Sequence, residues 1–265
     1  MITWFDTEQY LGAFEDAVVR EAAVDASDDE TTRHNLELKR LHTFKVREAA
    51  LTVAGAEGFS GEEKICASYA ALAHDFGRFE QFRRYRTFYD RKSVNHAELG
   101  VTIMRRLGEP SGLPAEFRET VYRIVLRHNQ RRLEEIADPF ERRISMLIRD
   151  ADKIDILRVL SEEYRNCRDN RKAAYELKND PVISPGVRKY VESGSAVPYS
   201  ELRTVPDFVI NVAGWMNDLN FPASRRLFRE GAFLADAREI LGNVPGGTEL
   251  LERIFRASDA RWRTG

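Results

Sequence analysis

Apolar residues recur at three- and four-residue spacing along nearly the whole chain, and no stretch alternates apolar with polar residues as a half-buried strand does. That pattern predicts an all-α fold. Residues 7–24 read as a first helix, and 30–56 as a long second one that stops near Gly58. Ser60-Gly-Glu-Glu63 has the capping-box pattern, with Ser60 as N-cap and Glu63 returning to its backbone N–H. The helix it opens, KICASYAALAHDF, is apolar on most sides and is expected to be central, with Gly77 marking its end. Residues 78–92 have no clean period and read as a loop. Ser93 is the expected cap of NHAELGVTIMRRL, and Pro114 suits the first turn of a helix running to about His128. Asp138-Pro139 signals the start of a long helix through ISMLIRDADKIDILRVLSEEY.

The most broken stretch is 179–200, with Pro181, Pro185, Gly186, Gly194 and Pro198, and it reads as either a domain boundary or a long surface loop. Helical segments follow near 206–219, 222–241 and 247–262. Their apolar faces, such as Phe208, Val212 and Trp215, need something to pack on. The preferred reading is one domain over 1–265, with a core at about 30–160 and a helical extension at about 165–265.

Lys and Arg total 41 against 43 Asp and Glu, a balance that argues against extended nucleic-acid binding but permits a local basic pocket. Cys66 and Cys167 are far apart and form no metal-ribbon spacing, and Cys66 is expected to be a buried free thiol in a reducing compartment. The N-terminal MITWFDTEQYLGAFEDAV lacks a basic leader, and no apolar run is long enough to span a membrane, so a soluble cytoplasmic protein is expected.

All five histidines, His34, His42, His74, His96 and His128, fall in the first half of the chain. His74 and Asp75 are adjacent at the end of an apolar helix, where both can reach one ion lodged in the angle between them. Burying that carboxylate without a cation or a strong partner would be costly. In MLIRDADKIDIL, Ala151, Ile154 and Ile156 hold Asp152 near the core, where a metal is a good partner; Asp150 is its rival. Asp155 is expected to anchor neighbouring backbone or to orient a ligand. His34 reads as a surface residue or as a support to the ligands.

An isolated His, an adjacent His-Asp pair and a distant Asp, each from a different helix, make this chain similar to the HD superfamily of metal-dependent phosphohydrolases. His42 in KRLHTFKV matches the first position, His74-Asp75 in LAHDFGRF the pair, and Asp152 in RDADKIDI the last. His96 in SVNHAELG and His128 in VLRHNQ stand where two-metal members add two histidines. The resemblance covers about residues 30–160 and implies an HD-type helical bundle holding one or two divalent ions, with Mn, Fe, Co, Ni, Zn and Mg all open. HD-GYP cyclic-dinucleotide phosphodiesterases carry a longer signature than RHNQRRLEE, and stringent-response hydrolases end in a DRLHN-like string where this chain has DKIDI. Neither narrower group is implied.

What the resemblance implies is hydrolysis of a nucleotide or other small phosphate ester by metal-activated water, with Asp75 able to bridge the ions and orient the nucleophile. Residues 78–92 hold six basic against two acidic side chains directly after the pair. Arg78, Arg83, Arg86 and Lys153 are candidate phosphate contacts, and Arg78 and Lys153 would neutralise charge on the transferring phosphoryl group. Two other readings stay open: a mixed-valence di-iron oxygenase using the same six ligands, and a non-catalytic metal-containing sensor. The C-terminal helices would either line the pocket or make a subunit contact, as in a homodimer.

Overall fold

Side-chain caps set where the principal helices begin in the computed structural model, which describes residues 9–25, 28–166 and 177–263. Asp29, Ser60, Asn95 and Thr204 each accept a hydrogen bond from a backbone N–H of the first turn that follows them. The Ser60–Glu63 capping box is present in both directions. Asp138 accepts from the Phe140 N–H at 2.9 Å, opening the long helix that Pro139 begins.

The chain divides into two compact units, residues 1–155 and 156–265. The first contains α1 (Leu11–Ala22), α2 (Glu30–Ala56), α3 (Gly61–Ala73), α4 (Phe76–Tyr85), α5 (His96–Leu107), α6 (Ala115–His128) and most of α7 (Pro139–Asn166). A 3₁₀ turn at Asp90–Lys92 lies between α4 and α5. The second unit contains the end of α7, then α8 (Pro185–Glu192), α9 (Val205–Ala213), α10 (Pro222–Glu230), α11 (Ala232–Gly242) and α12 (Gly247–Arg263). The boundary therefore falls inside α7, and the broken stretch 179–200 lies within the second unit. Among the described residues, the one strand-like pairing is a single bridge between Lys178 and Thr204, so the fold is all-α. No described helix is long and apolar enough to cross a membrane. Residues 7 and 8 of the first expected helix, and Cys167, lie outside the described residues.

In the first unit, α3 is buried on nearly every side from Cys66 to Ala73. Its alanines let α2 and α6 approach closely, while Tyr69 and Leu72 supply bulk. Cys66 is a buried free thiol, and burial pushes its pKa up, away from reactivity.

Three local expectations are corrected. Residues 78–92 are not a loop throughout, since 78–85 belong to α4. Phe76, Phe79 and Phe82 recur at helical spacing and are buried, and Arg83 and Arg84 in the last turn suit the helix dipole. Gly77 does not end α3, which stops at Ala73; it lies in the first turn of α4, against the backbone of α5. Ser93 does not cap α5. Asn95 does, while the Ser93 hydroxyl accepts from Gln81 and donates to the Tyr89 carbonyl.

In the second unit the expected helix at 222–241 is two helices, broken at Gly231, whose extended backbone (ψ 152°) cannot continue α10. The break lets Phe228 and Phe233 pack edge to face with centroids 6.2 Å apart. This unit closes over its own core of Val187, Ile210, Met216, Phe228 and Leu251. Asp207 ties the proline-rich stretch to α9 by accepting from the Ser184 N–H at 2.7 Å and its hydroxyl at 2.6 Å. Ser161 and Arg165 of α7 both bind Asp236 of α11.

Helices α4 and α5 meet backbone to backbone at Gly77 and Gly100. A Cβ on Gly77 would lie 2.2 Å from the His96 carbonyl oxygen and 2.6 Å from the Gly100 nitrogen. Gly77→Ala should therefore destabilise the protein by about 1–3 kcal/mol in urea unfolding. Gly55→Ala in α2, where nothing lies within 4 Å of the added carbon, should be neutral or slightly stabilising. Equal stabilities for the two variants would mean that α4 and α5 are free to separate.

Candidate metal centre

Five chain segments of the first unit converge on one carboxylate. Asp75 lies in the turn between α3 and α4, where φ −105° and ψ 16° redirect the chain just after His74. Helix α2 supplies His42, α5 opens with His96, α6 closes with His128, and α7 contributes Asp152. The four imidazoles are at most 3% exposed by side chain, and Asp75 is buried as well.

The six side chains form two groups of three able to hold a metal ion: His42, His74 and Asp152, and Asp75, His96 and His128. In the first group His42 Nε2 is 3.2 Å from Asp152 Oδ1 and 3.4 Å from His74 Nε2. In the second, His96 Nε2 is 3.0 Å from His128 Nε2 and 3.3 Å from Asp75 Oδ1. Asp75 spans both, because its Oδ2 lies 3.5 Å from His42 Nε2 and 3.6 Å from His74 Nε2. Ligand atoms bound to one ion at about 2.1 Å stand about 3.0–3.4 Å apart, so these spacings suit coordination.

Each imidazole is held by its other nitrogen. His74 Nδ1 donates to the Ala71 carbonyl at 2.6 Å, and His128 Nδ1 to the Val125 carbonyl at 2.6 Å. His42 Nδ1 meets Asp155 Oδ2 at 2.7 Å, and His96 Nδ1 meets Asp90 Oδ2 at 2.7 Å. A carbonyl only accepts, so His74 and His128 keep their proton on Nδ1 and present the Nε2 lone pair to the cluster. Two Nε2 atoms facing each other at 3.0 Å are mutually repulsive unless a cation or proton lies between them. The donor set therefore fits divalent ions, and imidazole with carboxylate suits first-row metals.

Burial lowers the pKa values of His96 and His128 to about 4 each, so both are neutral at pH 7. Burial also lowers His74, against the pull of Asp75 and Asp152. For His42, burial and Lys39 oppose protonation, but hydrogen bonds to Asp152 and Asp155 prevail and raise it. Asp75 is held well below the usual carboxylate range: burial works against its charge, and Lys39, His74 and Arg78 outweigh it. Asp152 is lowered too, with burial overcome by His42 and His74.

Around the six lie side chains that spacing alone did not single out. Lys39, one turn before His42 on α2, places Nζ 2.7 Å from Asp75 Oδ2. Its position on the His42 face is the one signal the sequence offered. Buried Gln81 accepts from Arg78 and donates to Asp90, Ser93 and the Val94 carbonyl, fixing the segment that leads to His96. Arg149 of α7 donates to the carbonyls of Arg127, His128 and Gln130, pinning the end of α6. Asp155 has the orienting position expected of it, and Asp152, not Asp150, belongs to the cluster.

The candidate phosphate contacts are dispersed. Arg78 is at the cluster, with Nε 3.3 Å from Asp75 Oδ1 and Nη1 on Gln81, Asp90 and the Phe88 carbonyl. Lys153 is half-buried on α7 beside Asp152. Arg83 instead donates to the carbonyls of Glu21 and Ala23 at the end of α1, and Arg86 binds Asp29 and Thr32 at the start of α2. Neither is brought to the six. His34 is exposed on α2.

Residues 41–160 match the family described as HD domain. The match begins one residue before His42 and takes in all six cluster residues with Asp90, Gln81, Arg149 and Asp155, so this part of the chain is similar to an HD domain. No curated protein and no solved structure matches the chain.

Asp90→Asn keeps an acceptor near His96 but removes the charge that orients it. Titration calorimetry with Mn²⁺ should find affinity at the Asp75–His96–His128 group reduced about 10–100-fold, with the other group close to wild type. Unchanged affinity at both would remove Asp90 from the positioning of His96.

Proposed function

We propose that this protein is a metal-dependent phosphohydrolase acting on a small phosphate ester, with nucleotides and similar phosphorylated metabolites as its substrate class. The observation that carries the reading is the placing of Asp75, with one carboxylate oxygen toward each three-ligand group. Divalent ions, when bound, supply Lewis acidity toward phosphoryl oxygens and acidify the attacking water. His42, His74 and Asp152 would hold one ion, and Asp75, His96 and His128 the other. The carbonyls and carboxylates on the Nδ1 atoms keep the imidazoles aimed, so little reorganisation is left for the reaction itself.

Arg78 brings a guanidinium to within 3.3 Å of Asp75 Oδ1, where it can neutralise charge on a phosphoryl group. Lys153 stands next to Asp152 on α7 as a second such group. Burial of the imidazoles keeps bulk water from the ligands and strengthens each of these interactions. A cationic edge favours an ester anion over a neutral oxidisable substrate, which is why hydrolysis is preferred to the di-iron oxygenase reading.

Metal analysis of protein purified without added ions, beside Asp75→Ala, tests this. The wild type should hold two equivalents. The variant should lose at least one and hydrolyse phosphate esters about a thousandfold more slowly, the loss of several kcal/mol of transition-state stabilisation. A metal-loaded wild type that hydrolyses nothing in a broad phosphate-ester panel would overturn the reading, and bound iron with oxygen uptake would replace it by the oxygenase.

A further inference from the structure

Lys39 stands apart from every other charged group at the cluster. It lies two residues before the segment that matches the HD domain, so its role is not part of what that match covers. Its Nζ makes one hydrogen bond, to Asp75 Oδ2 at 2.7 Å, and lies 5.4 Å from the centroid of the Phe88 ring. An ammonium has three donors, so two have no protein acceptor among the described residues. Arg78 is more heavily engaged, with Asp75, Gln81, Asp90 and the Phe88 carbonyl as its acceptors.

The position of Lys39 is as telling as its free donors. Whereas the four imidazoles are closed off, the side chains of Asp152, Lys39 and Arg78 are 20%, 16% and 15% exposed. These three, with Asp90 at 31%, make the edge of the cluster that solvent, and therefore a substrate, reaches. Charge points the same way. Two divalent ions would be balanced by the four carboxylates Asp75, Asp90, Asp152 and Asp155, which leaves Lys39 and Arg78, with Lys153 next to Asp152, as the source of net positive charge.

We infer that Lys39 is a substrate-contact residue that binds a non-bridging oxygen of a terminal phosphoryl group, making the substrate class a phosphomonoester. This rests on the hydrolase reading above. The choice between ester classes follows from counting oxygens. A terminal phosphoryl group has three non-bridging oxygens, enough to meet each of the two ligand groups and Lys39 together. A phosphodiester has two, which the two ligand groups would take, leaving the remaining donors of Lys39 without a substrate oxygen. The Asp75 contact aims the ammonium at the cluster, and the Phe88 ring flanks it, so its alignment precedes binding.

The test compares wild type, Lys39→Gln and Lys39→Arg after loading with Mn²⁺. Three quantities are read: bound metal, affinity for inorganic phosphate by calorimetry, and KM for p-nitrophenyl phosphate against bis(p-nitrophenyl) phosphate. Lys39→Gln should keep two equivalents of metal, bind phosphate at least tenfold more weakly and raise KM for the monoester, with Lys39→Arg recovering part of the affinity. Wild type should favour the monoester over the diester. Phosphate affinity within twofold of wild type in Lys39→Gln would overturn the assignment. Loss of metal from Lys39→Gln would overturn it too, because Lys39 would then serve to hold Asp75. A wild type that prefers the diester would overturn the substrate class. If wild type hydrolyses neither ester but loses phosphate binding on Lys39→Gln, the anion contact stands and the hydrolase reading fails.

Discussion

A buried carboxylate that must stay ionised governs the first unit. Asp75 is 3% exposed, and an isolated charge there would cost several kcal/mol. The fold answers by bringing a partner from each neighbouring segment: Lys39 and His42 from α2, His74 from the end of α3, Arg78 from α4, and His96 from α5. For those partners to arrive together, the helices have to approach closely. The alanines of α3 permit this on one side, and the backbone contact of Gly77 with His96 and Gly100 permits it on the other. Core packing and site geometry are thus one constraint seen from two directions.

The imidazoles illustrate how local backbone does part of this work. His74 and His128 each reach back three residues to a carbonyl at a helix C-terminus, so the tautomer is set by the same unpaired carbonyls that any helix end leaves. His42 and His96 are not at C-terminal ends and have no such carbonyl. Their Nδ1 atoms take carboxylates from elsewhere in the chain, Asp155 and Asp90. Two orienting devices therefore serve one purpose, and which is used follows from where on its helix the histidine stands.

Much of this was legible in the sequence because it is local. Ser60 with Glu63, Asp138 with Pro139, and the apolar run from Cys66 to Ala73 carry their structural consequence in a few consecutive residues. The adjacency of His74 and Asp75, and the apolar neighbours of Asp152, marked both as residues in need of a partner. What was hidden depends on distant chain. Residues 78–92 have no clean period of their own, because the Phe76–Phe79–Phe82 stripe of α4 starts before them and arginines crowd its last turn. Arg83 and Arg86 look the same as Arg78 in sequence, yet α4 turns them toward the carbonyls of α1 and the start of α2. Asp90 and Gln81 carry no motif at all; their role exists only because Arg78, Val94 and His96 come within reach of them.

The cluster has a closed interior and one open edge, and its fixed cations stand at the edge. Deepest are the imidazoles, of which His96 and His128 are rendered neutral by burial, so they can donate lone pairs without adding repulsion between cations. The carboxylates supply all the negative charge, Asp75 and Asp155 in the closed interior and Asp152 and Asp90 at the exposed edge. At that same edge stand Lys39 and Arg78, each on one oxygen of Asp75. Cations placed deeper would compete with metal ions for Asp75, and cations placed farther out would be screened by water. The edge is the one position where a fixed positive charge can stabilise Asp75 from one side and meet an incoming anion from the other.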